Sequence, residues 1–130
     1  MSDSNEIDEV VAAFFATFVS GPECVARADR LRGLVLPEAL VFRPGSVEDV
    51  ESFLAPRVEL LTGGRLTDFS EWPVEGRVEE HGDVAHWFGT YAKRGTLDGE
   101  PYGGTGAKSI QLVRTPQGWR ISAVAWDDDR

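Results

Sequence analysis

The chain has a single cysteine, Cys24, and two histidines, His81 and His86, in 130 residues. One cysteine excludes an intramolecular disulfide, and this Cys/His set lacks the spacing of structural zinc ligands, so no metal is expected. Cys24 falls in a helical pattern and reads as a small packing residue. Basic residues are also scarce: 13 Lys and Arg stand against 22 Asp and Glu, for a formal charge of -9. That balance repels phosphate backbones and anionic lipid, which argues against nucleic acid and membrane partners. No apolar run nears the roughly 20 residues that span a bilayer. The opening "MSDSNEIDEV" is acidic where a signal peptide is basic, so a soluble, cytoplasmic protein is expected. The glycines of "YGGTG" fall between strands, outside the strand-to-helix context of a phosphate loop, and no cofactor is expected.

What is present is enough apolar sequence, 42%, for one compact domain over residues 1–130. Ile7, Val10, Val11, Phe14, Phe15 and Phe18 recur at helical spacing, with Asp3 and Glu6 spaced as a capping box. Ser20 to Pro22 ends that helix. Val25, Ala28 and Leu31 support a second, closed by Gly33, whose missing Cβ suits a left-handed cap. "EALVFRPGS" reads as a short strand and turn. Ser46 with Asp49 can cap a third helix through Val47, Val50, Phe53 and Leu54, which Pro56 must kink or restart, and Thr62 to Gly64 ends it.

From Arg65 onward the pattern is β: Arg65 to Glu80, an "HGD" turn, Val84 to Arg94, a "LDGEPYGG" connection, Thr105 to Arg114, a "TPQG" turn, and Trp119 to Trp126. The fold class is α+β, about three N-terminal helices on one face of a curved antiparallel sheet. Period two separates the sheet faces. One face, with Ala85, Trp87, Gly89, Tyr91, Ile110, Leu112, Trp119, Ile121, Ala123 and Ala125, is almost wholly apolar. The other, with Val84, His86, Phe88, Thr90, Ser109, Gln111, Val113, Ser122, Val124 and Trp126, is mixed. Helices and a cavity are expected over the mixed face, and a second subunit over much of the apolar one.

The helical hairpin, "LVFRPGS", the third helix, "GDVAHWFGTY" and the terminal "GWRISAVAW" together resemble the nuclear transport factor two-like superfamily, which includes the ketosteroid isomerase and SnoaL-like cyclase group. The resemblance covers nearly the whole chain. It implies a cone-shaped α+β barrel, an internal pocket between helices and concave sheet, and a homodimer. Isomerases of this group have an aspartate base where this chain has Arg43, a tyrosine donor where it has Phe14, and an aspartic acid where it has Ala107. Ketosteroid isomerase activity, which needs a base and oxyanion donors within reach of the substrate, is therefore disfavoured.

His86, on a strand between Val84 and Phe88, is the candidate acid or base; a core histidine satisfied by one hydrogen bond is the alternative. Ser109 and Gln111 share its face and could orient a ligand, or meet solvent at a sheet edge. Phe88 and Trp126 could wall a pocket or simply fill the core. Arg43 could bind a carboxylate or enolate oxygen, or make a rim salt bridge. Tyr102 and Asp128 are possible rim residues; the run Asp127 to Asp129 otherwise reads as a solvated tail. The expected ligand is a small hydrophobic or carboxylated molecule, polyketide-like in the widest reading. The expected activity leans to lyase or isomerase-type acid/base chemistry. A non-catalytic binding module and a dimeric interaction domain are the alternatives.

Overall fold

The computed structural model describes residues 3–130, with side chains from position 5 onward. The elements are α1 (Asp3–Thr17), α2 (Glu23–Arg32), β1 (Val35–Arg43), β2 (Ser46–Asp49), α3 (Val50–Thr62), β3 (Leu66–His81), β4 (Val84–Leu97), β5 (Glu100–Thr115) and β6 (Gly118–Asp128). Six strands form one curved sheet in the order β2-β1-β6-β5-β4-β3, with β2 and β3 as its edges. The sheet is mixed where antiparallel pairing was expected throughout, because β1 runs parallel to β6. The crossover from β1 to β6 carries α3 and the long meander, which is what allows a parallel pair.

The apolar stripe of α1 forms as its spacing dictates, and Ile7, Val10, Val11, Phe14, Phe15 and Phe18 are all buried. Glu6 does not serve a capping box: its carboxylate accepts from the Trp119 backbone N–H at 2.9 Å, tying the start of β6 to the first helix. The Asp3 side chain, the other half of that box, lies outside the described residues. Gly33 is right-handed at φ −74°, not left-handed. The last turn of α2 instead tightens through Gly33 N–H to Arg30 O and Leu34 N–H to Leu31 O, which satisfies the terminal carbonyls without a left-handed residue. Asp49 alone caps α3, accepting from Ser52 N–H at 2.7 Å, while Ser46 opens the short strand β2. α3 continues through Pro56.

The "LDGEPYGG" stretch is a tight hairpin turn, not an open connection. Asp98 (φ 51°) and Gly99 (φ 84°) carry the positive φ values that a two-residue Asp-Gly turn uses to match strand twist. Tyr102 therefore lies within β5.

The expected assignment of faces is reversed. The helices cover the apolar face: Phe15 of α1 meets Trp87 of β4 edge to face at 5.4 Å, and Ala85, Tyr91, Ile110, Leu112, Trp119 and Ile121 are buried with them. Burial of this contiguous surface, at about 25 cal/mol per Å², outweighs anything the mixed face can offer. A bulge then breaks the alternation in β6. Gln111 opposes Ala123 while Leu112 opposes Ile121, so Ser122 is an extra residue. Beyond it Val124 and Trp126 join the helix-covered side, and Ala123 and Ala125 turn outward.

Candidate functional site

The bulge brings Trp126 against α3, edge to face with Phe53 at 5.2 Å, and around this pair a recess opens between α3 and the inner face of β3 to β6. It is lined by Phe18, Leu61, Leu66 and Phe69 with Arg57, Glu71, Tyr91, Lys93, Lys108 and Trp126. The free space is about 20 Å³, close to what one water requires and far below the roughly 300 Å³ of a drug-sized site. Aromatic side chains fill the volume that a polyketide-like ligand would need.

Lys108 is the unusual residue. It occupies an inward position of β5 between Gly106 and Ile110 and is 3% exposed. Its ammonium lies 4.5 Å from the Tyr91 ring centre, 4.7 Å from Trp126, 4.9 Å from Phe14 and 5.2 Å from Phe15. This is an aromatic cage, in which ring quadrupoles partly replace lost hydration. One carboxylate enters it: Lys108 Nζ donates to Glu71 Oε2 at 2.7 Å. Burial pulls the Lys108 ammonium below its ordinary pKa; Glu71 opposes that, while Lys93 and Arg57 add to it.

A second pair stands at the rim. The Tyr91 hydroxyl donates to Asp128 Oδ1, and Lys93 Nζ donates to Asp128 Oδ2 at 3.1 Å. Burial, and then the bond to Asp128, push the Tyr91 phenol far above its ordinary value. Burial works to raise the Asp128 carboxyl, but the bonds from Tyr91 and Lys93 outweigh it and hold that group low. Tyr102 completes this edge, 6.1 Å from Phe69 and 5.6 Å from the Lys93 ammonium. Arg57, on α3, lies over the Phe53 ring at 5.1 Å, and among the described residues no carboxylate pairs with it. Three cations thus meet two carboxylates, and the unmatched charge belongs to Arg57.

Of the residues singled out from sequence, Trp126 lines this recess, and Tyr102 and Asp128 border it. His86, Phe88, Ser109 and Gln111 do not line it; they lie on the outer face of the sheet, because the helices chose the opposite side. His86 Nε2 lies 2.9 Å from Glu79 Oε1 on the neighbouring strand, Phe88 is 55% exposed, and Gln111 is exposed. Arg43 is the last residue of β1, and its guanidinium lies 3.5 Å from Glu48 on β2. Sequence reasoning missed Lys108, Glu71, Lys93 and Arg57. A signal existed: the chain has eleven arginines but two lysines, Lys93 and Lys108, and both line one recess.

No protein-family model matches the chain, and no curated protein matches it. Solved structures do. A nuclear transport factor 2-like superfamily protein from Salmonella enterica serovar Typhimurium matches with a TM-score of 0.77 at 18% identity, covering 98% of this chain and 92% of that one. A provisionally named ketosteroid isomerase from Shewanella frigidimarina matches at 0.69 and 20% identity, covering 91% of each chain. The CamKII hub homology domain of Chlamydomonas reinhardtii matches at 0.71 and 12% identity over 100% of both. The chain therefore has the nuclear transport factor 2-like α+β fold. That fold hosts differently named proteins, so any function has to be argued from the site.

Proposed function

We propose that this protein binds a small carboxylate-bearing molecule in the recess between α3 and the sheet, and that acid/base chemistry on it falls to Lys108–Glu71 and Tyr91–Asp128 instead of His86. The observation that carries this is the unmatched Arg57 guanidinium at a recess whose other two cations already have carboxylate partners. Guanidinium groups hold carboxylates by paired N–H donors, and Phe53 and Trp126 supply an apolar wall for the rest of the ligand. The resting space holds about one water, so only a compact acid is suited, seated as the half-buried Arg57 side chain swings off the Phe53 ring to meet it.

Trp126 is one of four tryptophans, so its response is read as a separate 19F signal in 5-fluorotryptophan-labelled protein. Titration with acetate or pyruvate is expected to shift that signal saturably, whereas acetamide is not. Arg57→Gln is expected to weaken binding by about tenfold or more, the scale of one charge-assisted hydrogen bond. An unchanged affinity in that variant would remove Arg57 from the site.

The outer face suits a second copy of the chain. Cross-strand register aligns Phe42, Ala125, Ser109 and Phe88 in one row, so two exposed phenylalanines flank a trough of small residues. Such a row is self-complementary about a twofold axis. Phe88→Glu is expected to convert a dimer to a monomer in light scattering at micromolar concentration; a wild-type monomer there contradicts the pairing.

A further inference from the structure

Both lysines of the chain line one recess, yet their situations differ. Lys93 is on the rim with the half-exposed Asp128, whereas the Lys108 amine lies inside, 2.7 Å from a carboxylate that is itself largely buried. A carboxylate-binding guanidinium and a sequestered primary amine lining one recess suit a compact ligand that carries both a carboxylate and an electrophilic carbon. We propose that Lys108 is a nucleophilic lysine that forms a Schiff base with a small 2-oxo acid, whose carboxylate Arg57 holds and whose keto carbon Lys108 attacks. This rests on the reading of the recess as a carboxylate site.

The groups present balance each step. Glu71 takes a proton from the Lys108 ammonium, leaving a free amine and a carboxylic acid. The amine lone pair forms the N–C bond as the carbonyl π pair moves onto oxygen, and one N–H proton passes to that oxygen to give the carbinolamine. Glu71 returns its proton to the hydroxyl, the C–O bond breaks, and water leaves as the nitrogen lone pair forms the C=N bond. The product is a protonated imine beside the Glu71 carboxylate, with one water released and no external oxidant or reductant. Burial favours the uncharged amine, with Lys93 and Arg57 acting in the same sense. The cage walls of Tyr91 and Trp126 would then face the iminium cation, which they stabilise as they do the ammonium.

The test is reductive trapping on the intact protein. Pyruvate and cyanoborohydride are added, intact mass is read, and the modified peptide is mapped. One reduced pyruvyl group is expected, mapped to Lys108 in the wild-type protein and lost in Lys108→Arg. No adduct, or adducts spread over Lys93 and the α-amino group, would overturn the proposal. Peptide mapping of the wild-type protein decides this even if a Lys108 variant folds poorly. The 19F signal of Trp126 in 5-fluorotryptophan-labelled protein is recorded in parallel with pyruvate alone. A saturable response without an adduct rejects the covalent step and leaves the carboxylate site standing; no response and no adduct rejects both.

Discussion

Lys108→Met is expected to lower the free energy of unfolding by about 3 kcal/mol, the scale on which removing one partner of a buried ion pair destabilises a protein. Methionine keeps most of the stem volume, so the loss is electrostatic in origin: Glu71 would be left largely buried with its charge unpaired. The informative comparison is the double variant Lys108→Met with Glu71→Leu. Replacing both members of a buried pair with apolar groups is often neutral or stabilising, so the double variant is expected to recover most of the deficit in urea denaturation. Such a result would mean that the pair is kept at no benefit to stability, as expected of groups retained for binding or chemistry. A Lys108→Met protein as stable as the wild type would show that the carboxylate has an outlet to solvent and that the recess is not the closed charge pair described above.

Gly89→Ala is expected to be similarly damaging for a different reason. Gly89 on β4 opposes Gly76 on β3, and a Cβ on Gly89 would stand 2.1 Å from the Glu75 carbonyl oxygen and 2.5 Å from the Gly76 Cα. Both obstacles are backbone, so no rotamer change relieves them. A cost of about 3 kcal/mol or more follows, at the upper end of overpacking effects. Because Tyr91 is two residues along the same strand, a displaced β4 is also expected to loosen the Tyr91–Asp128 bond and weaken carboxylate binding. A loss under about 0.5 kcal/mol, the range of ordinary surface substitutions, would mean that β3 and β4 part more easily here than their register implies.

Much of the architecture was legible because the signals were periodic. The α1 stripe from Ile7 to Phe18 and the two-face alternation of β4 each follow from one dominant local rule; the start of α3 did not, since Ser46 and Val47 belong to β2 and the helix begins only after Asp49. What failed were choices between alternatives that local rules do not decide. Alternation separates Trp87 from Phe88 but does not say which of them meets the helices, and assigning a cavity to the mixed face moved His86, Phe88, Ser109 and Gln111 inward together. The β6 bulge at Ser122 is invisible to a strict period of two, and it happens to bring Trp126 to the recess by reversing the phase. Lys108 was readable in principle, as a charge at an inward position of an otherwise apolar strand face. Its partner Glu71 was not, because β3 carries register shifts at Thr67/Ser70 and Pro73/Glu75 that decouple position from face.

The central claim is that the recess formed by Arg57, Lys93, Lys108 and Tyr91 takes a small carboxylate. With two lysines in the chain, selective isotope labelling of lysine yields two side-chain signals, both from the recess. Titration with pyruvate is expected to shift the Lys108 and Lys93 signals along one saturable curve, and Arg57→Gln is expected to weaken that curve by about tenfold or more. Lysine signals that stay fixed while the ligand acts elsewhere, or that drift linearly without saturating, would contradict it.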